Sequence, residues 1–417
     1  MAASIFEVVI GMTGMIGVLM KFISPITIGV TIFCLGYSLY PIVILLCSPH
    51  WGISMMGCGF IIIFSVYMSH ITIPLPSCTR RSKMKFEPFP VFQVFPVFLT
   101  LVIMWILCII CTNAGLFSDD IKHPSFRART DIRTDVINRA PWILIPYPGQ
   151  FGIPRFNTAV FVGFVICVMI SIVESVGDYI ATAHICKASP IPRHALNRGI
   201  AVEGICSVLS GAFGTAHATT SYSTTVSLVG LTKITSRVVL VVAGLLACIF
   251  SIFGKFGAFL TSVPDPVLGG ILLAFSGVLS SLGISAFRSV QLQSSRNLSI
   301  IGISIYCAIC LSAWQRQFPD SLKTDYDQVN QLVHVTLGNA MFIGFIMSIL
   351  LDNTVRGTDT ERGILKEESP KVQVVKKQHE EHAQSRQKLF DLPLVPILQK
   401  KYKLCRRIPF VQPFKIF

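Results

Sequence analysis

Apolar residues run along this chain in blocks of about twenty, the length an α-helix needs to cross a hydrocarbon layer of about 30 Å. The blocks fall near residues 5–21, 25–47, 51–69, 91–112, 156–183, 197–213, 235–261, 264–285, 295–314 and 335–352, and each predicts a helix. A shorter, hydroxyl-rich segment lies between the sixth and seventh. No basic stretch precedes the first block and no small-residue cleavage site leads into a soluble domain, so that block is expected to be a span rather than a cleaved leader.

In the fifth block the pattern changes. Residues 159–173 are almost uniformly apolar, and then comes Glu174-Ser175-Val176-Gly177-Asp178-Tyr179. A carboxylate deep in a membrane helix costs roughly 2.5 to 3.5 kcal/mol on insertion scales, so acids there usually face the bundle interior and mark an ion or substrate path. Ser171, Glu174, Ser175, Asp178 and Thr182 recur at spacings of three and four, which places them on one helix face. That face is expected to look inward. Nothing basic in the apolar part of the helix can neutralise it, and His184 and Lys187 lie nearer its end, where they are expected to snorkel.

Two further features sit at membrane depth. Glu203 lies among Gly199, Gly204, Gly211 and Gly214, a small-residue surface that lets a neighbouring backbone come close. Glu203 is therefore expected at a helix contact, either bonding backbone donors of a broken segment or taking part in coupling, and the sequence leaves both open. The stretch from Gly214 to Ser227 carries Thr215, His217, Thr219, Thr220, Ser221, Ser223, Thr224, Thr225 and Ser227. So many hydroxyls beside glycine suit an extended piece followed by a half-helix beginning near Ser223 to Thr225. Non-helical backbone is tolerated in a membrane only where protein buries it or it lines a cavity.

Composition agrees with the pattern. Hydrophobic residues make up 52% of the 417 and charged ones 13%, with a mean hydropathy of +0.66. A soluble chain carries about 25% charged residues, so this is read as a polytopic membrane protein. The net charge of +14 does not point to nucleic acid, because its basic residues lie in loops and a tail around the spans. Arg80, Arg81, Lys83 and Lys85, and the tail from Arg356 to Arg407, are expected on the cytoplasmic side. The segment from Asn113 to Arg155, of mixed charge, is then external. Most cysteines fall in or beside spans as small hydrophobes, so no disulfide framework or structural zinc site is expected. The sequon Asn297-Leu298-Ser299 opens a span on the cytoplasmic side and is expected to stay unmodified. The basic cluster from Lys400 to Arg407 has the charge to meet anionic headgroups. No nucleophile–base pair, phosphate loop or metal-ligand pattern points to an enzyme.

The residues resemble the nucleobase–ascorbate transporter family, nearest its animal sodium-dependent vitamin C transporter branch. The resemblance is carried by Glu174 to Tyr179, Asn197-Arg198-Gly199 with Glu203-Gly204, Gly230-Leu231-Thr232-Lys233 with Ser236-Arg237, Pro264 to Gly270, Ser294 to Leu298 and Leu351 to Val355. Ala128-Arg129-Thr130-Asp131, Ala140 to Ile143 and Ile145 to Pro148 support that branch.

The resemblance implies an all-α polytopic fold of seven-plus-seven inverted repeats with core and gate domains, of which this chain would hold about eleven segments. Its first span resembles the family's fourth, so the first three segments are expected to be lacking. The core would take residues 1–24 and 156–262, the gate 25–112 and 263–353, the extracellular loop 113–155 and the cytoplasmic tail 354–417. By position, the resemblance makes Glu174 the substrate-binding acid, with Ser175, His217, Ser223, Thr224, Thr225 and Ser227 beside it. Asp178, Glu203 and Ser171 would serve cation coupling, with sodium on Asp178 and no other cofactor. Where the branch has a Pro-Asn-Ile-Gly-like signature, this chain reads Thr224-Thr225-Val226-Ser227, losing an amide and gaining bulk. The implied activity is sodium-coupled ascorbate uptake by alternating access, in the plasma membrane, by a homodimer joined through its gate. Two alternatives stay open: a nucleobase symporter, and a non-transporting relative acting as a partner subunit.

Overall fold

The computed structural model describes residues 1–16, 22–77, 85–152, 156, 158–186, 188, 191–215, 221–232, 234, 236–319, 321–322, 324, 326–358 and 361. It is predominantly helical, and its helices gather into two compact units. Five helices among the described residues are long and apolar enough to cross a membrane, and a bent pair adds a sixth if it is one span. His217, Lys187 and the basic cluster near residue 400 lie outside the described residues.

The first unit joins residues 1–38, 147–223 and 279–417. Its helices are α1 (Ala2–Thr13), α2 (Pro25–Ser38), α8 (Thr158–Ile185), α9 (Arg193–Phe213), α14 (Ser295–Gln317), α15 (Asp327–Gly338) and α16 (Ala340–Thr354). The second unit takes residues 39–146 and 224–278. It holds α3 (Tyr40–Cys47), α4 (Trp51–Ile62, continued by a π-helical turn Ile63–Tyr67), α5 (Val91–Val94), α6 (Pro96–Asn113), α7 (Thr134–Arg139), α11 (Arg237–Ser251) and α12 (Gly254–Leu260). The chain passes between the units along α10 (Ser223–Thr232) and α13 (Asp265–Ala286). The segment between the third and fourth apolar blocks, expected as a loop, begins and ends in a hairpin: β1 (Ile73–Ser77) pairs antiparallel with β2 (Lys85–Phe89).

Two cores hold the first unit. Ala3, Ile10, Val168, Ile172, Val176, Leu196 and Ile200 cluster where α1, α8 and α9 meet. Ile26, Val30, Cys34, Ile300, Ala308, Met341 and Ile343 cluster where α2, α14 and α16 meet. The second core is closed by charge. Arg296 and Asp352 have side chains only 8% and 0% exposed and pair at 2.8 Å. The guanidinium also donates to the carbonyls of Asp352 at 2.7 Å and Val355 at 2.9 Å, which ties the start of α14 to the end of α16. Asn297, fully buried, donates its amide to the carbonyls of Gln291 and Glu361, so the sequon asparagine has no exposed nitrogen to modify.

In the second unit Gly270 faces α4 so closely that a Cβ there would lie 2.3 Å from the Ser54 carbonyl oxygen, while the Ser54 hydroxyl donates to Pro266 at 2.8 Å. The Pro264–Gly270 motif is thus a contact surface. Arg133 donates to Asp265 at 2.8 Å, and Arg129 grips Asp131 through two nitrogens and also pairs with Asp119.

Two expected spans need correction. The block 235–261 is not one helix: α11 and α12 meet at 108°, because Leu144 donates to the Ile252 carbonyl at the turn and Pro141 packs where a Cβ of Gly254 would stand. The block 335–352 breaks at Asn339, whose side chain caps α16 by accepting from Met341 and Phe342. In the first block the described residues hold the 12-residue α1, which ends at Gly14 in the left-handed region at φ 80°, and residues 17–21 of that block lie outside the described residues.

Asp352→Asn or Arg296→Ala leaves one buried charge unpaired, so either is expected to cost about 3 to 5 kcal/mol. Unfolding of the detergent-purified chain measures this, and an unchanged midpoint would refute the closure. The Arg129 hydrogen bonds hold the Asp131 carboxyl below the usual carboxylate range. A depressed carboxyl contributes stability above the unfolded value of about 3.9 and loses it as pH falls through the lower folded value. Pepsin digestion is therefore expected to open the 113–155 segment progressively as the pH falls below about 4. D131N should remove that pH step.

Candidate functional site

The acid-bearing helix α8 is continuous from Thr158 to Ile185, as its long apolar run requires, and it carries Ser171, Glu174, Ser175, Asp178 and Thr182 in sequence. Ser175 and Asp178 are buried, at 0% and 1% exposure, while Ser171, Glu174 and Thr182 are half-buried. Thr182 turns its hydroxyl back to the Asp178 carbonyl at 2.7 Å, a bond internal to the helix.

The buried pair reaches two other pieces of the same unit. Ser175 Oγ donates to Glu203 Oε2 at 2.5 Å, and the Tyr179 hydroxyl donates to Glu203 Oε1. Two hydroxyls from α8 therefore hold one carboxylate of α9. Ser221 lies two residues before the start of α10; its hydroxyl donates to Asp178 Oδ2 at 2.7 Å, and its amide donates to Ser175 Oγ at 3.4 Å. The same amide is in hydrogen-bonding reach of Glu203. Of the two roles left open for Glu203, bonding donors of the broken segment is the one this geometry contains. Carboxylates that accept from several donors can stay charged in a dry interior where unpaired ones cannot.

Why these three pieces meet follows from size. At Gly199 a Cβ would stand 2.7 Å from the Tyr179 ring, so only glycine lets the phenol lie across α9 to Glu203. At Gly204 it would stand 2.7 Å from the Val8 amide nitrogen, which brings α1 against α9.

The remaining expected site residues are placed as follows. Ser223 opens α10, the half-helix expected from the Ser/Thr stretch. Thr224 is half-buried and Thr225 exposed. Ser227 is fully buried and donates to the Phe275 carbonyl at 3.2 Å within the second unit. His217 lies outside the described residues. Among the described residues, no group of three or more His, Cys, Asp or Glu could hold a metal ion, so a cation at Asp178 would rely on hydroxyls and carbonyls.

Three residues of the site went unselected from sequence. Tyr179 and Ser221 stood inside the motifs but were read as neighbours of the chemistry. Glu7, 1% exposed on α1, lies within electrostatic range of Glu203. The cost of an acid in an apolar block helped to mark Glu174 and Asp178, and Glu7 carries the same cost without a polar stripe beside it. A cavity of about 480 Å³ in the second unit is lined by Arg127, Arg129, Arg133 and Asp265, and Arg129 and Arg133 are already ion-paired.

Residues 1–317 match the model of a permease family. Solute carrier family 23 member 2 of Homo sapiens is 37% identical over 370 residues, covering 87% of this chain and 56% of that protein. Solute carrier family 23 member 1 of Rattus norvegicus is 34% identical over 365 residues, covering 88% and 60%. Nucleobase-ascorbate transporter 12 of Arabidopsis thaliana is 28% identical over 395 residues, covering 87% and 54%. The chain thus spans little more than half the length of these curated relatives.

Tyr179→Phe takes one donor from Glu203 and is expected to cost about 1.5 to 3 kcal/mol, the range for a hydrogen bond to a charged group. In a Glu203→Gln background the same change should cost measurably less, since the pair is coupled. Equal costs in both backgrounds, read from unfolding in detergent, would remove the contact from the site.

Proposed function

We propose a transport function on one premise: this chain belongs to the permease family that includes the nucleobase–ascorbate transporters. It is a multi-pass membrane protein, and not an enzyme. The function proposed is secondary active transport, most specifically sodium-coupled uptake of ascorbate by alternating access. The observation that carries it is Asp178 and Glu203, held by Ser175, Tyr179 and Ser221 beside the apolar cluster where three helices meet. Side chains that merely packed there would be apolar, because each buried charge has an insertion cost.

In this reading Glu174, half-exposed one turn before Asp178, accepts hydrogen bonds from the substrate, with Ser171 and Ser175 beside it. Asp178, with the Ser221 hydroxyl already on one oxygen, supplies sodium with a hard oxygen ligand. The start of α10 presents amide donors and the positive end of its dipole, which suits an anion such as ascorbate. Thr224 and Thr225 follow on that first turn, and Ser227 opens the second. Sodium bound with the anion then offsets both its charge and that of the acids. Movement of a core carrying the acids against a gate, in a homodimer joined through the gate in the plasma membrane with the tail inside, completes the proposal.

The plant relative's name includes nucleobases, and a neutral planar base would also pair with Glu174. Labelled ascorbate and labelled uracil or xanthine, each with sodium present or replaced, separate the readings in a surface-expressed chain. Sodium-dependent ascorbate uptake is expected. Glu174→Gln should weaken apparent affinity by roughly ten- to a hundredfold, the equivalent of one charge-assisted hydrogen bond. Asp178→Asn should instead flatten the sodium dependence. Uptake that ignores both changes would overturn the site, and surface expression without uptake of either solute would favour the partner-subunit reading.

A further inference from the structure

The chain stays fastened to the first unit beyond the end of α16. Residues 355–358 lie over the start of α14: Arg296 donates from Nε and Nη2 to the Val355 carbonyl, at 3.1 and 2.9 Å, and a Cβ on Gly357 would lie 2.6 Å from Arg296 Nε. Glycine lets this strap pass there. Glu361 then fastens it: its carbonyl accepts from the buried Asn297 amide at 2.7 Å, and its Oε1 accepts at 3.1 Å from the hydroxyl of Ser294, which stands at the N-cap position of α14. A carboxylate at that end of the helix meets the positive end of its dipole.

Thr358 holds the fastening carboxylate in place. Its amide and its hydroxyl both donate to Glu361 Oε2, at 2.9 and 3.0 Å, and the Glu361 amide donates back to Thr358 Oγ at 3.3 Å, the reciprocal pairing of a capping box. One hydroxyl therefore serves the whole latch. Thr358 is also exposed, outside any helix, and has an acid three residues after it, the acceptor pattern that an acidophilic protein kinase reads.

A phosphoryl group on Thr358 Oγ would bring about −1.5 to −2 of charge to the Glu361 carboxylate and would remove the hydroxyl proton that now bonds it. Both changes repel the acid. The nearest buried cation has no nitrogen to offer the phosphate, because Arg296 Nη1 donates to Asn297 Oδ1 at 3.0 Å while Nε and Nη2 are spent on Val355 and Asp352.

We propose that Thr358 is a phosphorylation site whose modification releases the strap and uncouples the segment after α16 from the start of α14. A protein kinase transfers the γ-phosphoryl of a nucleoside triphosphate: the Oγ–P bond forms, the bond from that phosphorus to the β,γ-bridging oxygen breaks, the hydroxyl proton leaves and nucleoside diphosphate departs. The kinase takes the strap when it is open, and the phosphate keeps it from closing again. Meeting a kinase in the cell rests on the cytoplasmic tail of the proposed function, while the response of the strap to charge does not.

Treating the detergent-purified full chain with an acidophilic protein kinase, magnesium and ATP tests this, read by peptide mapping and by amide hydrogen exchange. Phosphate is expected on Thr358, and exchange at the Thr358 and Glu361 amides should rise about tenfold or more, the size of a like-charge repulsion at a few ångströms. Thr358→Val should show no kinase-dependent rise. Glu361→Gln, which removes both the fastening charge and the acid that the kinase reads, should lose most of the labelling and exchange faster without kinase. No phosphate on Thr358, phosphate without faster exchange because Arg356 pairs with it and the strap stays seated, or a rise that persists in Thr358→Val overturns the proposal. A tail cut by trypsin added outside intact cells would refute the cytoplasmic side of the proposed function and leave the response measured in detergent standing.

Discussion

The Glu203 carboxylate is the point on which the polar interior of the first unit turns. A charge at that depth survives only if donors converge on it, and here they come from separate pieces of chain: Ser175 and Tyr179 on α8 and the Ser221 amide before α10. Satisfying one carboxylate therefore fixes the register of α8 against α9 and pins the broken segment to both. Asp178 is then held from the same side by Ser221. The polar groups form one network because in lipid each has no water to fall back on.

Close packing makes the network possible. Glycine at 199 gives the Tyr179 ring its place, and glycine at 204 lets α1 lie against α9 with Glu7 enclosed. In the second unit Gly270 does the same for α4 and α13. Without a hydrophobic drive between helices in a bilayer, such contacts and a few buried polar bonds supply most of the association. The Arg296–Asp352 pair, with backbone carbonyls completing the guanidinium, is the clearest example.

Much of this was legible beforehand. The helix-forming blocks, the inward face of α8, the helix contact at Glu203 and the half-helix opening at Ser223 all follow from periodicity and from the cost of burying polar groups. Hydropathy was blind to local breaks. The turn at Ile252 and the cap at Asn339 interrupt blocks whose average stays apolar, because a loop amide and one capping side chain end those helices. Motifs quoted only for their family likeness acquired physical reasons: Arg129 and Asp131 are a paired turn, and Arg296 and Asp352 a buried closure.

By itself the sequence determined which stretches must be helical and apolar, and which few acids had to be explained, since burial cost depends on residue type and local surroundings. Which acid meets which donor was decided only by tertiary structure. Glu203 on α9 takes its donors from α8 and from Ser221 before α10, and nothing in the spacing of any one helix says that they meet. That meeting depends on how closely the Tyr179 ring lies against α9, and the approach is set by the absence of a side chain at Gly199.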